Sequence, residues 1–472
     1  MNELIFNKSE RRSEAMGERP NLLFILTDEQ AYNTMKAYGN DLIETPNMDR
    51  LAADSIIFDR VYCTWPVCTP SRGTIMTGLY PHKHGCIGNN VGLSPDIPCL
   101  TEIADLPKHR KAYFGKWHLG DEIFKQRGFD EWVSIEDYVY RKYCSPGKDA
   151  DEHSSYRQFL TANGIEPNQV TEDGYAYFDR HYSARLPEAY SKPKFLADEA
   201  IRFIKENKDQ PFVLYVNFLE PHMPYTGPRD NQYDRSVIPF PPNFRHRVDD
   251  RHPSSERARK YLEQGFQGAK LSTDDDWREM IARYWGLVSL VDTHLGRILD
   301  TLKDCGLYDD TITVFTSDHG DMMGSHGLLE KGAMFEEAIR VPLLLRGPGL
   351  PSGVRVGAQF SQIDLVPTLL DMLGVPRAEH LQGQSWLAGL HNMEPYPERD
   401  IFVELHKPDQ GWTRAVLTPD RWKYIDRATG PNELYQLQDD PYEMNNLAEF
   451  PSAEKTLIIQ ELCKKIEQWQ KS

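Results

Sequence analysis

The sequence predicts an α/β fold: a large, mostly parallel central sheet flanked by helices, followed by a small C-terminal antiparallel sheet with a helix. Three observations carry this. Short continuous apolar runs, of the kind a strand buried on both faces needs, recur over most of the chain. Amphipathic helical patterns lie between them, and strands separated by helices pack as an open parallel sheet. After about Leu373 the pattern changes to short strands joined by turn residues.

The first strand is Asn21–Thr27, an apolar run that ends in Asp28 and Glu29. Phe212–Phe218 and Thr311–Thr316 read the same way, and Val341–Leu345 is a strand whose proline points to a sheet edge or a strand start. Helices are expected from Phe195 to Glu206 and from about Asp276 to Asp304. In the second, Ile281, Tyr284, Val288, Val291, Leu295, Ile298 and Leu302 share one face. The run Asp274-Asp275-Asp276 is that helix's acidic first turn and not a metal site. Residues 137–190, rich in tyrosine and charge, and 224–260, crowded with proline, arginine and aspartate, interrupt the alternation and are expected to be lids or substrate loops. The C-terminal strands are Phe402–Leu405, Arg414–Leu417, Trp422–Ile425 and Glu433–Leu437, with a helix from about Ala453. The expected division is an extended or disordered segment over 1–19, a large domain over 20–375 and a small α+β subdomain over 376–472.

Composition narrows the function classes. Over 472 residues, hydrophobic residues make up 40% and charged residues 26%, which is globular and not disordered composition. The formal net charge of −17 argues against a general nucleic-acid binder, whose footprint is basic. It leaves open an anionic substrate in a local cationic pocket. No stretch approaches the roughly eighteen apolar residues of a membrane span, and the N-terminus lacks a secretory apolar core, so a cytoplasmic location is expected. Seven sparse cysteines with no C-x-x-C pair fit a reduced compartment better than a disulfide framework or a zinc site.

Ligands of open α/β sheets bind beyond the carboxyl ends of the strands. Three strands here end in metal-type or acid/base residues: Asp28-Glu29, Glu220-Pro221-His222 and Ser317-Asp318-His319. The most informative stretch is Pro66–Gly78. Pro70 suits the first turn of a helix that stops at Gly78, which puts Cys68 at the helix's positive end and Arg72 one turn later on the same face. Together they form an oxyanion-binding corner; the bland alternative is a buried structural cysteine with a surface arginine. A tyrosine-phosphatase loop would need arginine six residues after the cysteine, where Thr74 stands.

Cys68-Thr69-Pro70-Ser71-Arg72 resembles the signature of type I sulfatases, in which the cysteine is oxidised after synthesis to formylglycine. Further blocks are similar to that family in the usual order: Asn21–Asp28, Thr45–Leu51, Thr77–Gly85, Gly115–Gly120, Thr316–Gly320 and a tail block around Glu433–Tyr435, Asp440-Pro441 and Asn446-Leu447. The resemblance implies an alkaline-phosphatase-superfamily fold and hydrolysis of a sulfate ester, either a small molecule or an oligosaccharide. It implies one divalent metal, calcium first and manganese or magnesium as alternatives, held by Asp28, Asp318 and the modified Cys68. Glu29 and His319 stand at the remaining metal-ligand positions and depart from the family's commonest residues; some sulfatases and related phosphonate monoester hydrolases carry a histidine at the position of His319, where it would suit manganese or iron. Arg72, Lys116, His118, His222 and Lys331 match residues around the sulfate and the bridging oxygen, and Lys331 would otherwise read as a solvated lysine. Trp65, His82, His84 and His326 are read as structural or pocket-lining. A formylglycine-generating partner follows from the modification, and oligomeric state does not follow from the sequence. The rival activities are phosphate or phosphonate monoester hydrolysis at the same site and, from another class, a catalytically silent binding protein on the same fold.

Overall fold

The computed structural model of the protein describes residues 20–136, 147–149, 151–391, 395–396 and 398–471. The expectation for residues 1–19 falls outside these, as do 137–146 and 150 of the first insertion. The central sheet has nine strands: β1 Asn21–Asp28, β2 Ile56–Tyr62, β3 Arg110–Gly115, β4 Glu131–Val133, β7 Phe212–Pro221, β8 Thr311–Ser317, β9 Arg340–Val341, β10 Leu343–Arg346 and β11 Val354–Ser361. A separate ribbon, β5 Gln169–Val170 with β6 Ala176–Tyr177, lies in the first insertion. The strand order is β11-β2-β10-β8-β1-β7-β3-β4, with β9 beside β2. The pairs β1–β7, β1–β8, β3–β7, β3–β4 and β2–β11 are parallel, whereas β10 runs antiparallel to β2 and β8.

β1 shows why these strands are continuously apolar. Leu23 and Ile25 pack on one side with the helices Lys192–Glu206 and Asp274–Asp304. Leu22, Phe24 and Leu26 pack on the other with Ile75 and Met76 of the helix Cys68–Thr77 and with the helix Leu365–Met372. A strand covered on both faces has no polar side to present. The helix at Asp274 starts as expected, with Thr273 and Asp276 forming a capping box. Pro342 marks a strand start and not an edge: it separates β9 from β10, and β10 lies inside the sheet between β2 and β8.

The second sheet is an antiparallel meander of β12 Ile401–Lys407, β13 Gly411–Leu417, β14 Trp422–Arg427 and β15 Glu433–Gln436. One face packs on the helix Ala453–Lys471 through Leu462 and Ile466. The other packs through Val403, Leu405, Ala415 and Ile425 on Tyr62, Cys63 and Trp65, the stretch leading to Cys68. The Glu404 amide donates to the Thr64 carbonyl at 2.9 Å, and Glu404 also pairs with His82 at 2.9 Å. The insertions are less irregular than their composition suggests: Ser155–Ala162, Arg180–Ala184 and Ser255–Gln264 are helical. Among the described residues no helix is long and apolar enough to cross a membrane.

Candidate active site

Cys68 is the first residue of its helix, with Val67 extended before it, and the helix ends at Gly78 in the left-handed conformation (φ 69°) that glycine adopts without steric cost. All ten residues of the helix are buried. A Cβ on Gly73 would meet the His84 ring at 2.5 Å, so the absence of a side chain there lets His84 pack against the helix that Cys68 begins. The remaining auxiliary residues are also structural in placement. Trp65 is buried against Trp412, and His326 stacks on Phe335.

The sheet brings the three strand ends together. Parallel register pairs Thr27 with Ser317 and Asp28 with Pro221, so Asp28, Asp318 and His222 emerge at one edge. Arg72 clips the two aspartates: Nη2 donates to Asp28 Oδ2 at 2.8 Å and Nε to Asp318 Oδ2 at 2.9 Å, while Nη1 donates to the Lys116 carbonyl at 2.7 Å. Lys116 Nζ lies 2.6 Å from Asp28 Oδ2. Burial alone would raise the Asp28 pKa, but Lys116 and Arg72 beside it hold the carboxyl well below the usual range. Burial and the neighbouring Asp28 push the Cys68 thiol up to about 11, so a cysteine left unmodified here is protonated near neutral pH and a poor nucleophile.

One potential ligand atom from each of Asp28, Cys68, Asp318 and His319 lies within 4.8 Å of the others. The His319 Nδ1–H faces the Gly320 carbonyl at 2.9 Å. Its Nε2 lone pair is thereby directed at Cys68 Sγ, 3.1 Å away, the arrangement typical of a metal-ligating histidine whose other ring nitrogen is held by a carbonyl. With the cations holding both Oδ2 atoms, two carboxylate oxygens, an imidazole nitrogen and position 68 fit a divalent cation. Glu29 does not join this group but forms a second one with Asp28 and His222. Its backbone is left-handed (φ 67°). That conformation is fixed by its amide donating to Asp318 Oδ1 at 3.0 Å and its carbonyl accepting from Tyr284 at 2.6 Å.

His118, His222 and Lys331 form the open side: their side chains keep slight exposure, up to 12% for Lys331, where Asp28, Lys116, Asp318 and His319 have none. Lys331 Nζ donates to Glu29 Oε2 at 2.6 Å and lies 3.1 Å from His222 Nε2. Burial works against the Lys331 charge, yet Glu29 raises its pKa above the ordinary value. Burial and the Lys331 and Lys116 charges lower that of His222. The His222 Nδ1–H faces the Met223 carbonyl at 2.7 Å, which leaves Nε2 to accept from Lys331. His118 also has a left-handed backbone (φ 62°), and Glu122 holds it there by accepting from the Trp117 amide at 2.7 Å and the His118 amide at 2.8 Å.

Sequence reasoning missed the braces. Gln362 Nε2 donates to the Ser317 and Asp318 carbonyls, both at 2.9 Å, and the Ser71 hydroxyl lies 2.8 Å from Gln362 Oε1. Ser71 stands inside the quoted block and could have been singled out; nothing local marks Gln362 or Glu122.

Residues 20–375 match the family model described as Sulfatase, and 324–472 match that of the N-sulphoglucosamine sulphohydrolase C-terminal region. The chain is 30% identical over 441 residues to the uncharacterized sulfatase YidJ of Escherichia coli (strain K12), covering 91% of this chain and 83% of that protein. It is 26% identical over 528 residues to the N-acetylglucosamine-6-O-sulfatase of Bacteroides thetaiotaomicron, covering 96% and 87%. Among solved structures, the phosphonate monoester hydrolase of Agrobacterium radiobacter superposes with a TM-score of 0.77 at 26% identity, covering 96% of this chain and 95% of that one. With nearly the whole chain matched and the fold in agreement, the chain belongs to the sulfatase family of the alkaline-phosphatase superfamily and is a sulfuric ester hydrolase.

Proposed function

We propose that the chain hydrolyses a sulfate monoester of a carbohydrate, aryl or alkyl alcohol, with position 68 as the nucleophile after a maturating enzyme has converted Cys68 to formylglycine. The observation that carries this reading is the convergence of Asp28, Asp318 and His319 on Cys68, with Arg72 and Lys116 set against the same carboxylates. A divalent metal, calcium first and manganese or magnesium as alternatives, would be held by Asp28, Asp318, His319 and position 68, with Glu29 at its margin; once bound it supplies positive charge at the sulfuryl oxygens and acidifies a hydroxyl beside it. Formylglycine supplies a hydrated aldehyde, with one hydroxyl for attack on sulfur and a second that allows sulfate to leave.

The chain's own residues supply the rest. Asp28, Glu29 and Asp318 against Arg72, Lys116 and Lys331 balance in formal charge. A divalent cation therefore leaves an excess of positive charge that complements a sulfate group. Arg72 and Lys116, fixed by their ion pairs, hold the sulfuryl oxygens without reorganising. Lys331 stays charged and is the proton donor to the departing alcohol oxygen, and neutral His222, already accepting from Lys331, relays the replacement proton. His118, whose charged form is disfavoured by burial and by Lys116 and Arg72, is neutral and accepts a proton from the hydroxyl at position 68. The carbohydrate option is supported by the relative that acts on N-acetylglucosamine-6-sulfate. The test is sulfate release by wild type and Cys68→Ala. The variant should lose at least about a thousandfold, and wild-type release would remove the reading.

A second reading, hydrolysis of phosphonate or phosphate monoesters at the same site, is favoured by His319 beside Cys68 and by the likeness to the Agrobacterium radiobacter enzyme. Matched aryl sulfate, phosphate and phosphonate esters assayed in competition separate the two, the sulfate ester being preferred under the first reading.

A further inference from the structure

We propose that a cavity on the leaving-group side of the site binds a second negatively charged group of the substrate, so that the alcohol released is itself an anion, a carbohydrate carrying a carboxylate or a further sulfate. This rests on the sulfate-ester reading above.

The cavity encloses about 430 Å3. Arg185 and His181, from the end of the first insertion, line it together with Lys270. None of these three side chains makes a hydrogen bond or ion pair with a described residue. On a chain with a net charge of −17, Arg185 and Lys270, neither partnered among the described residues, place positive charge beside this cavity, opposite in sign to the protein's own. Arg283 adds a third, paired to Glu279. Each of the two carboxylates on the rim already has partners. Asp276 accepts from the Thr273 amide at 2.8 Å and the Ser272 hydroxyl at 3.1 Å. Glu279 accepts from Arg235 at 2.9 Å as well as from Arg283. The floor is aromatic, with Tyr225 and Phe266 at a ring separation of 5.8 Å, a surface suited to the apolar face of a sugar ring.

Position ties this cavity to the leaving group. It shares Pro224 and Thr226 with a smaller cavity lined by His222. The Tyr225 hydroxyl donates to Asp321, whose other oxygen accepts from the Glu330 amide at 3.1 Å, one residue before Lys331. The segment that follows His222 thus lines the cavity, and through Asp321 it is tied to the segment that carries Lys331. Since these two residues face the bridging oxygen in the proposed reaction, whatever lies beyond them belongs to the alcohol and not to the sulfate.

The test compares monosulfated and disulfated forms of one hexosamine, and a sulfated uronic acid against a sulfated neutral hexose, in wild type and in Arg185→Ala/Lys270→Ala. Wild type should favour the doubly charged member by about tenfold or more in kcat/KM, and the double variant by no more than about twofold, through KM with kcat unchanged. Activity on 4-nitrophenyl sulfate should stay within about twofold. Preference for only the disulfated sugar or only the uronate assigns the anion. A wild type without preference, or a preference that survives the double variant, overturns the subsite. A wild type inert on every sulfate ester overturns the reaction instead. Calorimetry of the disulfated hexosamine with the Cys68 protein still reads the subsite: the double variant should bind about tenfold more weakly, and equal affinity would refute it.

Discussion

His319 Nε2 lies 3.1 Å from the sulfur of Cys68, across 251 residues of sequence. The β1–β8 pairing, which sets Thr27 beside Ser317, brings Asp28 next to Asp318 and His319. A helix N-terminus, two aspartates and an imidazole meet there because parallel strands deliver their carboxyl ends to one edge.

Asp318→Asn should lose the metal, read by elemental analysis of the purified protein, with activity falling in parallel. Gln362→Leu, which removes the donors to the Ser317 and Asp318 carbonyls, should weaken metal affinity by about 10–100-fold while the fold survives. Stoichiometric metal in Asp318→Asn would give that residue another role.

Lys331 and His222 should separate on a series of sulfate esters spanning leaving-group pKa. Lys331→Ala should lose far more on sugar sulfates than on activated aryl sulfates, which need little protonation. His222→Ala should show a shallower dependence, because its Nε2 accepts from Lys331 and its Nδ1–H is held by the Met223 carbonyl. Equal losses across the series would assign both to binding the sulfate oxygens.

Gly73→Ala should destabilise by about 1–3 kcal/mol, since the new methyl meets the buried His84 ring. The same shift displaces the helix that carries Cys68 and Arg72, so thermal midpoint and activity should fall together. A variant as stable as wild type would show that His84 moves aside freely.

Glu136 is buried and ion-paired to Arg180 and Lys192. Burial would raise its pKa, but the two cations lower it from 4.5 to about 2. A carboxyl with a depressed folded-state pKa contributes stability that is fully present above its unfolded value and is lost as pH falls towards the folded one. Glu136→Gln should therefore be less stable by about 3 kcal/mol at pH 7, with the gap narrowing as pH falls below about 4.5 towards 2. Urea unfolding across that range measures it, and a gap independent of pH would mean the loss is one of packing.

β1, β7 and β8 are legible in the sequence because both their faces are buried and their apolar runs are unbroken. β2 is interrupted by Asp59-Arg60 and β11 by Gly357, so neither stands out locally, and both are held by tertiary pairing. The proline of Val341–Leu345 is compatible with an edge or a strand start; only the sheet order distinguishes the two. At the site, the residues lying within family-like blocks or at strand ends are readable. Gln362, Glu122 and Tyr284 are not, because each acts by bonding backbone groups, of segments distant in sequence for Gln362 and Tyr284 and of a nearby loop without local signal for Glu122. The separation of Glu29 from the Asp318 cluster is likewise set by its left-handed backbone, which no local pattern announces.

The most direct test of a formylglycine nucleophile is the mass of the peptide containing residue 68 from a preparation that releases sulfate. The expected peptide has lost one sulfur and two hydrogens and gained one oxygen, the change from a thiol side chain to an aldehyde, in a proportion that tracks specific activity across preparations. Full activity in protein whose residue 68 is entirely unmodified cysteine would contradict it.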